Sequence, residues 1–165
     1  MPEFLALFNT SFLSALLRMS VTYMLAGLAY SICARAGVID LALEGKLLGG
    51  AFVGVWISYL TGSPQAGAIA AMLVMGLISL LTGLPIVYWG ANQVVVGTGL
   101  NFVMQGITTV GIAIVWNRAG TTEQVAQLSS RISNWLADLS PNMKYIFGMQ
   151  TPLLYISLLI IMIAY

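Results

Sequence analysis

The run AIAAMLVMGLISLL, residues 68–81, contains one polar side chain, Ser79, and no charge. It does not alternate between apolar and polar residues. A strand of a membrane β-barrel would, because its residues face lipid and lumen in turn. A helix is the other way to satisfy backbone N–H and C=O groups in hydrocarbon. The run lies inside 71 consecutive uncharged residues, Leu47 to Asn117. Each helical residue advances ~1.5 Å and the hydrocarbon core is ~30 Å thick, so about 20 apolar residues make one crossing. The uncharged stretch has room for about three crossings with short turns.

The rest of the chain agrees. Its 165 residues are 59% hydrophobic and 7% charged, with a mean hydropathy of +0.95. A soluble domain carries roughly 25% charged residues. The expected fold is all-α: a polytopic transmembrane helical bundle forming a single domain over residues 1–165. It would have about five spans, an interfacial N-terminal helix and a short extracellular helix. A net charge of +1 argues against a nucleic-acid partner. One cysteine, Cys33, and no histidine exclude a disulfide scaffold, a Cys/His zinc site and His-based acid–base chemistry. Cys33 reads as a packed small side chain. The opening MPEFLALFNT has no basic region before its apolar run, unlike a cleaved signal peptide. The last run, Thr151 to Tyr165, stops after 15 residues without a flanking charge. It reads as a chain truncated at its C-terminus, inside a helix.

Residues 3–17 place Phe4, Phe8, Phe12 and Leu16 four apart among polar residues, the pattern of an interfacial helix or the start of a crossing. The first clear span runs from Arg18 to about Ala34. The second is about Leu47–Leu60, the third Ala66–Trp89 and the fourth Val94–Trp116. Thr61-Gly62-Ser63-Pro64 and Gly90-Ala91-Asn92-Gln93 are the breaks between them. Trp56, Tyr59, Tyr88, Trp89 and Trp116 sit near span ends, where amphipathic rings favour the headgroup level. Gly50 and Gly54 in the second span, and Gly97, Gly99, Gly106 and Gly111 in the fourth, would let helices approach closely. In the polar segment 118–150, Thr121 and Gln124 fit a capping box. Val125, Leu128, Ile132, Trp135 and Leu139 then mark one helical face, ended by Pro141.

Two polar groupings stand out. Arg35, Asp40, Glu44 and Lys46 gather between the first two spans. If that segment is helical, Asp40 and Glu44 share a face. It reads either as an interfacial turn with its charges paired or hydrated, or as a broken segment lining a path, which Gly37 and Gly45 would permit. In the fourth span, Asn101, Gln105 and Thr108 form a stripe at i, i+4, i+7, with Asn92 and Gln93 at its start. Amides in lipid need partners, so this face meets protein or water. Interhelical hydrogen bonding and the wall of a neutral-solute pathway both satisfy it. There is no GxxxxGK[ST] phosphate loop, so ATP would be bound elsewhere.

RAGVIDLALEG, Arg35 to Gly45, resembles the ERAGVINIGLEG motif of ABC-importer permeases. These belong to the branch carrying ribose-type sugars, branched-chain amino acids and nucleosides. GANQVVVGTGLN, Gly90 to Asn101, resembles that branch's ANQVVSGLALN. The pair looks most like the nucleoside or simple-sugar group. Ala34 stands where Glu is usual, and Asp40 where Asn is common, as in the sugar subgroup's GGIDLSVG. The resemblance covers most of residues 18–117, in the N-terminal half of such a permease.

The resemblance implies a non-enzymatic transport subunit, multi-pass in a bacterial inner membrane. Its partners would be a second permease subunit (homo- or heterodimer), ATP-binding subunits, an extracellular solute-binding lipoprotein and membrane lipid. It implies no cofactor in this chain, with ATP on the partner. Asn92, Gln93, Asn101 and Gln105 would line the route, while Arg35, Asp40, Glu44 and Lys46 form a cytoplasmic turn. A count of lysines and arginines favours the opposite orientation, with 118–150 inside. An uncoupled channel or a helix-packing assembly subunit is the rival reading. A membrane enzyme has little support, with no histidine and no paired acids in the apolar core.

Overall fold

The computed structural model describes residues 10–117, 120–125 and 152–164. Five helices occupy them: α1 (Thr10–Arg35), α2 (Leu43–Thr61), α3 (Pro64–Trp89), α4 (Gln93–Trp116) and α5 (Pro152–Ala164). No strand occurs among the described residues. Ala15–Arg35 of α1, all of α3 and all of α4 are long and apolar enough to cross a membrane. The 19-residue α2 is not among these three spans, and its first turn holds Glu44 and Lys46. The 13 described residues of α5 extend about 20 Å, short of a ~30 Å crossing.

The chain divides into two units, residues 30–127, and residues 1–29 with 128–165. Helix α1, whose residues 10–29 fall in the second of these, follows the alternative in which the N-terminal segment starts a crossing. Residues 10–17 continue into the span as one helix instead of forming a separate interfacial segment. The phenylalanine spacing suits either arrangement, and arginine at position 18 is a good helix former that breaks nothing.

The helix ends follow local chemistry. After α1, Gly37 takes φ 79°, a conformation costly for residues with a Cβ. Gly37 N–H donates to Ala34 O (3.0 Å) and Val38 N–H to Cys33 O (3.0 Å). This Schellman closure stops the helix and turns the chain toward Asp40. Gly62 (φ 67°) ends α2, and Pro64 starts α3 at a position where its missing N–H costs nothing. Asn92 caps α4, its Oδ1 accepting from Val94 N–H (2.9 Å) and Val95 N–H (3.4 Å).

Within 30–127, α2 lies against both α3 and α4, which barely meet each other. Glycines set the spacing. A Cβ on Gly67 of α3 would strike the Gly54 carbonyl oxygen and come within 3.1 Å of Ser58 Cβ. Gly49 faces the sulfur of Met104 on α4 and the methyl of Met75 on α3. Of the glycines expected to mediate packing, Gly50, Gly54, Gly97 and Gly111 do so, whereas Gly99 and Gly106 face open space. Few apolar side chains are buried; Met72, Leu73, Leu80, Trp89, Phe102 and Ile114 are among the many exposed. Such a surface suits lipid or other membrane helices, since soluble monomers rarely expose apolar patches this extensive. Trp116 differs from the expected headgroup anchor. It is buried, with its ring packed against Phe52 (6.3 Å between centroids) and Tyr59 (5.7 Å).

Beyond α4, the described residues 121–125 are not helical, so no helix starts at Thr121 and the capping box with Gln124 does not form. The expected surface helix otherwise lies outside the described residues.

Candidate functional site: a clamped turn and a polar groove

The two motif regions dock on one another. Helices α2 and α4 run parallel, which brings residues 38–45 over the first half of α4. Gln93, Gly97 and Asn101, at i, i+4 and i+8, make the contact. Gln93 Oε1 accepts from Ile39 N–H at 2.7 Å. Gly97 has no side chain, and the chain at Leu41 and Ala42 comes so close that a Cβ would lie 2.8 Å from Leu41 Cβ. Asn101 then makes two bonds. Its Oδ1 accepts from Gly45 N–H at 2.8 Å, and its Nδ2 donates to Leu41 O at 2.9 Å.

These bonds answer a local need. The first N–H groups of a helix have no partner inside it. At the N-cap of α2 stands Ala42, which offers no side-chain acceptor. Asn101 provides one from another helix, 56 positions along the chain. Asp40 provides a second bond, its Oδ1 accepting from Ala42 N–H at 3.1 Å. Its Oδ2 pairs with Lys46 Nζ at 2.6 Å, with both side chains largely buried.

Asp40 and Glu44 therefore do not share a helix face. The helix begins only at Leu43, so Asp40 belongs to the turn and bonds inward, while Glu44, in the first turn of α2, is exposed. Arg35, the last residue of α1, is also exposed.

Beside the clamp lies a groove of about 300 Å³ lined by Glu44, Gly45, Leu48, Thr98, Asn101, Phe102 and Gln105. The predicted stripe splits around it. Thr108 is buried and donates to its own helix at Met104 O (2.8 Å). Asn101 is half-buried in the clamp. Gln105 is exposed on the groove wall, and its side-chain amide makes no hydrogen bond among the described residues. Asn92 and Gln93 lie at the helix start, as cap and turn anchor, outside the groove lining. Sequence reasoning did not single out Thr98 for this wall, and placed Glu44 beside a path only in the alternative in which its segment is broken. The signal for Glu44 was its place next to a glycine that the neighbouring helix must approach. No group of three or more His, Cys, Asp or Glu that could hold a metal occurs among the described residues.

A bundle with apolar outer faces, several membrane-length helices and a polar groove is the architecture of a multi-pass membrane protein. Residues 12–165 match the family described as "Branched-chain amino acid transport system / permease component", and the chain belongs to that family. It is similar to the guanosine ABC transporter permease protein NupQ of Bacillus subtilis (strain 168). The two are 29% identical over 93 residues, which is 53% of this chain and 29% of that protein. The match thus spans less than a third of the relative's length. No solved structure matches the chain. Membership puts the chain among transport components rather than enzymes, as the motif resemblance implied.

Proposed function

We propose that this chain is part of the membrane-spanning subunit of an ATP-driven importer that passes a nucleoside, or a related simple sugar, into the cell. The groove carries the reading. In a chain with 7% charged residues, Glu44, Thr98, Asn101 and Gln105 converge on one cleft between α2 and α4. Polar side chains gathered in an apolar bundle are costly unless they meet protein, water or solute. The family and the guanosine-permease relative support the class and the solute.

In this reading Gln105 and the open side of Asn101 border the path. Asn92 and Gln93 hold the turn at its mouth. That turn, with Arg35, Asp40, Glu44 and Lys46, faces the cytoplasm. A second permease subunit completes the conduit, ATP-binding subunits drive it, and an external solute-binding lipoprotein delivers the solute.

The test is uptake of labelled guanosine by proteoliposomes holding the complete transporter. Accumulation should require both ATP and the ATP-binding subunits. Downhill flux without those subunits would instead identify an uncoupled channel.

A further inference from the structure

One charged side chain lines the groove, that of Glu44. Its carboxylate makes no ion pair or hydrogen bond among the described residues. Lys46, two residues on, is turned away and held by Asp40 at 2.6 Å. The remaining lining groups leave few donors. The Thr98 hydroxyl gives its hydrogen to Val94 O at 2.7 Å, so its oxygen can only accept. Each end of the Asn101 amide already holds a backbone partner. The Gln105 amide and the second N–H of Asn101 Nδ2 are the side-chain donors left to offer. The groove is thus rich in acceptors and lined by no cation.

We propose that Glu44 is a specificity-determining residue of this groove, its carboxylate receiving two adjacent donors from an uncharged solute. This rests on the permease reading above. A carboxylate accepts two parallel hydrogen bonds when donors are spaced to match its oxygens. Two parts of a nucleoside present such a pair: the ring N–H and amino group on one edge of a guanine-type base, and the vicinal hydroxyls of a ribose. A phosphorylated solute would set its negative charge against Glu44 with no cation in the groove lining to offset it, so the same residue disfavours nucleotides.

The experiment compares uptake of guanosine, 1-methylguanosine (no ring N–H) and 2′,3′-dideoxyguanosine (no vicinal diol) in cells carrying the complete transporter. The chain is either wild type or Glu44→Gln. The external binding protein is identical in both strains, so its own preferences cancel in the comparison. Glu44→Gln should lower guanosine uptake roughly tenfold or more, the loss expected for a charge-assisted hydrogen bond. Immunoblots should show an unchanged amount in the membrane. Discrimination against one of the two analogues should shrink by a similar factor. The analogue affected assigns the contact to base or sugar. Should Glu44→Gln not accumulate, Glu44→Asp, which withdraws the charge by one methylene, must shrink one discrimination in its place. Wild-type uptake in the variant, or undiminished discrimination against both analogues, overturns the proposal and leaves the permease reading intact. A wild-type transporter that moves none of the three nucleosides refutes the nucleoside reading itself.

Discussion

Asn101 on α4 caps α2 through Gly45: its Oδ1 lies 2.8 Å from the Gly45 nitrogen, and its Cα and Oδ1 leave no room there for a Cβ. Packing and hydrogen bonding are therefore one device. Gly45→Ala should force Asn101 off the helix start and destabilise the bundle by about 1–3 kcal/mol. Asn101→Leu leaves both Gly45 N–H and Leu41 O without their partner, at about 1–3 kcal/mol each. The double variant should cost less than the sum of the singles, because both remove the same bond. Unfolding in detergent measures all three, and strict additivity would show that the clamp is not shared.

Glycines along α3 differ sharply in what surrounds them. Gly67 touches the Gly54 carbonyl and Ser58, whereas nothing lies within 4 Å of a Cβ on Gly76. Gly67→Ala should push α2 and α3 apart and lower stability by about 1–3 kcal/mol. Gly76→Ala should be neutral or stabilise by about 0.5–1 kcal/mol, the helix-propensity gain over glycine. Thermal midpoints of the two variants side by side test the contact, and equal midpoints would remove it.

What could be read in advance was local. The uncharged runs and the Gly, Pro and Asn signals placed the ends of α3 and α4 within a residue or two, because breakers act on their own neighbours. The polar wall at Asn101 and Gln105 was visible as a stripe. Which member faces what was not visible, because that depends on α2 lying alongside. Asn101 spends its amide on Gly45 and Leu41, which follows only once Ala42 leaves a helix start uncapped. Asp40 and Glu44 diverge because the Gly37 closure and the turn delay α2 until Leu43, whereas their spacing alone suggested one face. Thr121 and Gln124 have the right residue types for a capping box, yet the described residues 121–125 are not helical.

The Asp40–Lys46 pair holds the turn from within. Its side chains are 15% and 17% exposed, so removing one partner leaves the other charge poorly hydrated. Asp40→Asn keeps an acceptor for Ala42 N–H but deprives Lys46 of its counter-charge. A loss of about 1.5–3 kcal/mol is expected, the scale for a hydrogen bond to a charged group. The combined change with Lys46→Met should recover part of that loss, since no unpaired charge remains. Stability of the single and double variants in detergent decides it, and a double variant no better than Asp40→Asn would show that the ammonium is already hydrated.

Gln105 offers the cleaner test of the path. Leucine at Asn101 breaks the clamp as well as the groove wall, so loss of uptake there has two causes. Gln105 shares the groove, yet its side chain makes no hydrogen bond among the described residues, and it is exposed. Gln105→Leu should therefore leave detergent stability within about 0.5 kcal/mol of wild type, as for surface changes away from structural contacts. Uptake should still fall, because a polar wall facing the solute becomes apolar and a passing donor or acceptor loses its partner. A drop of roughly tenfold is expected, the cost of about one unmade hydrogen bond. Stability and uptake measured on the same preparation separate the two effects. Unchanged uptake with unchanged stability would place Gln105 against lipid or a neighbouring helix, and the cleft between α2 and α4 would then be a packing seam rather than a route.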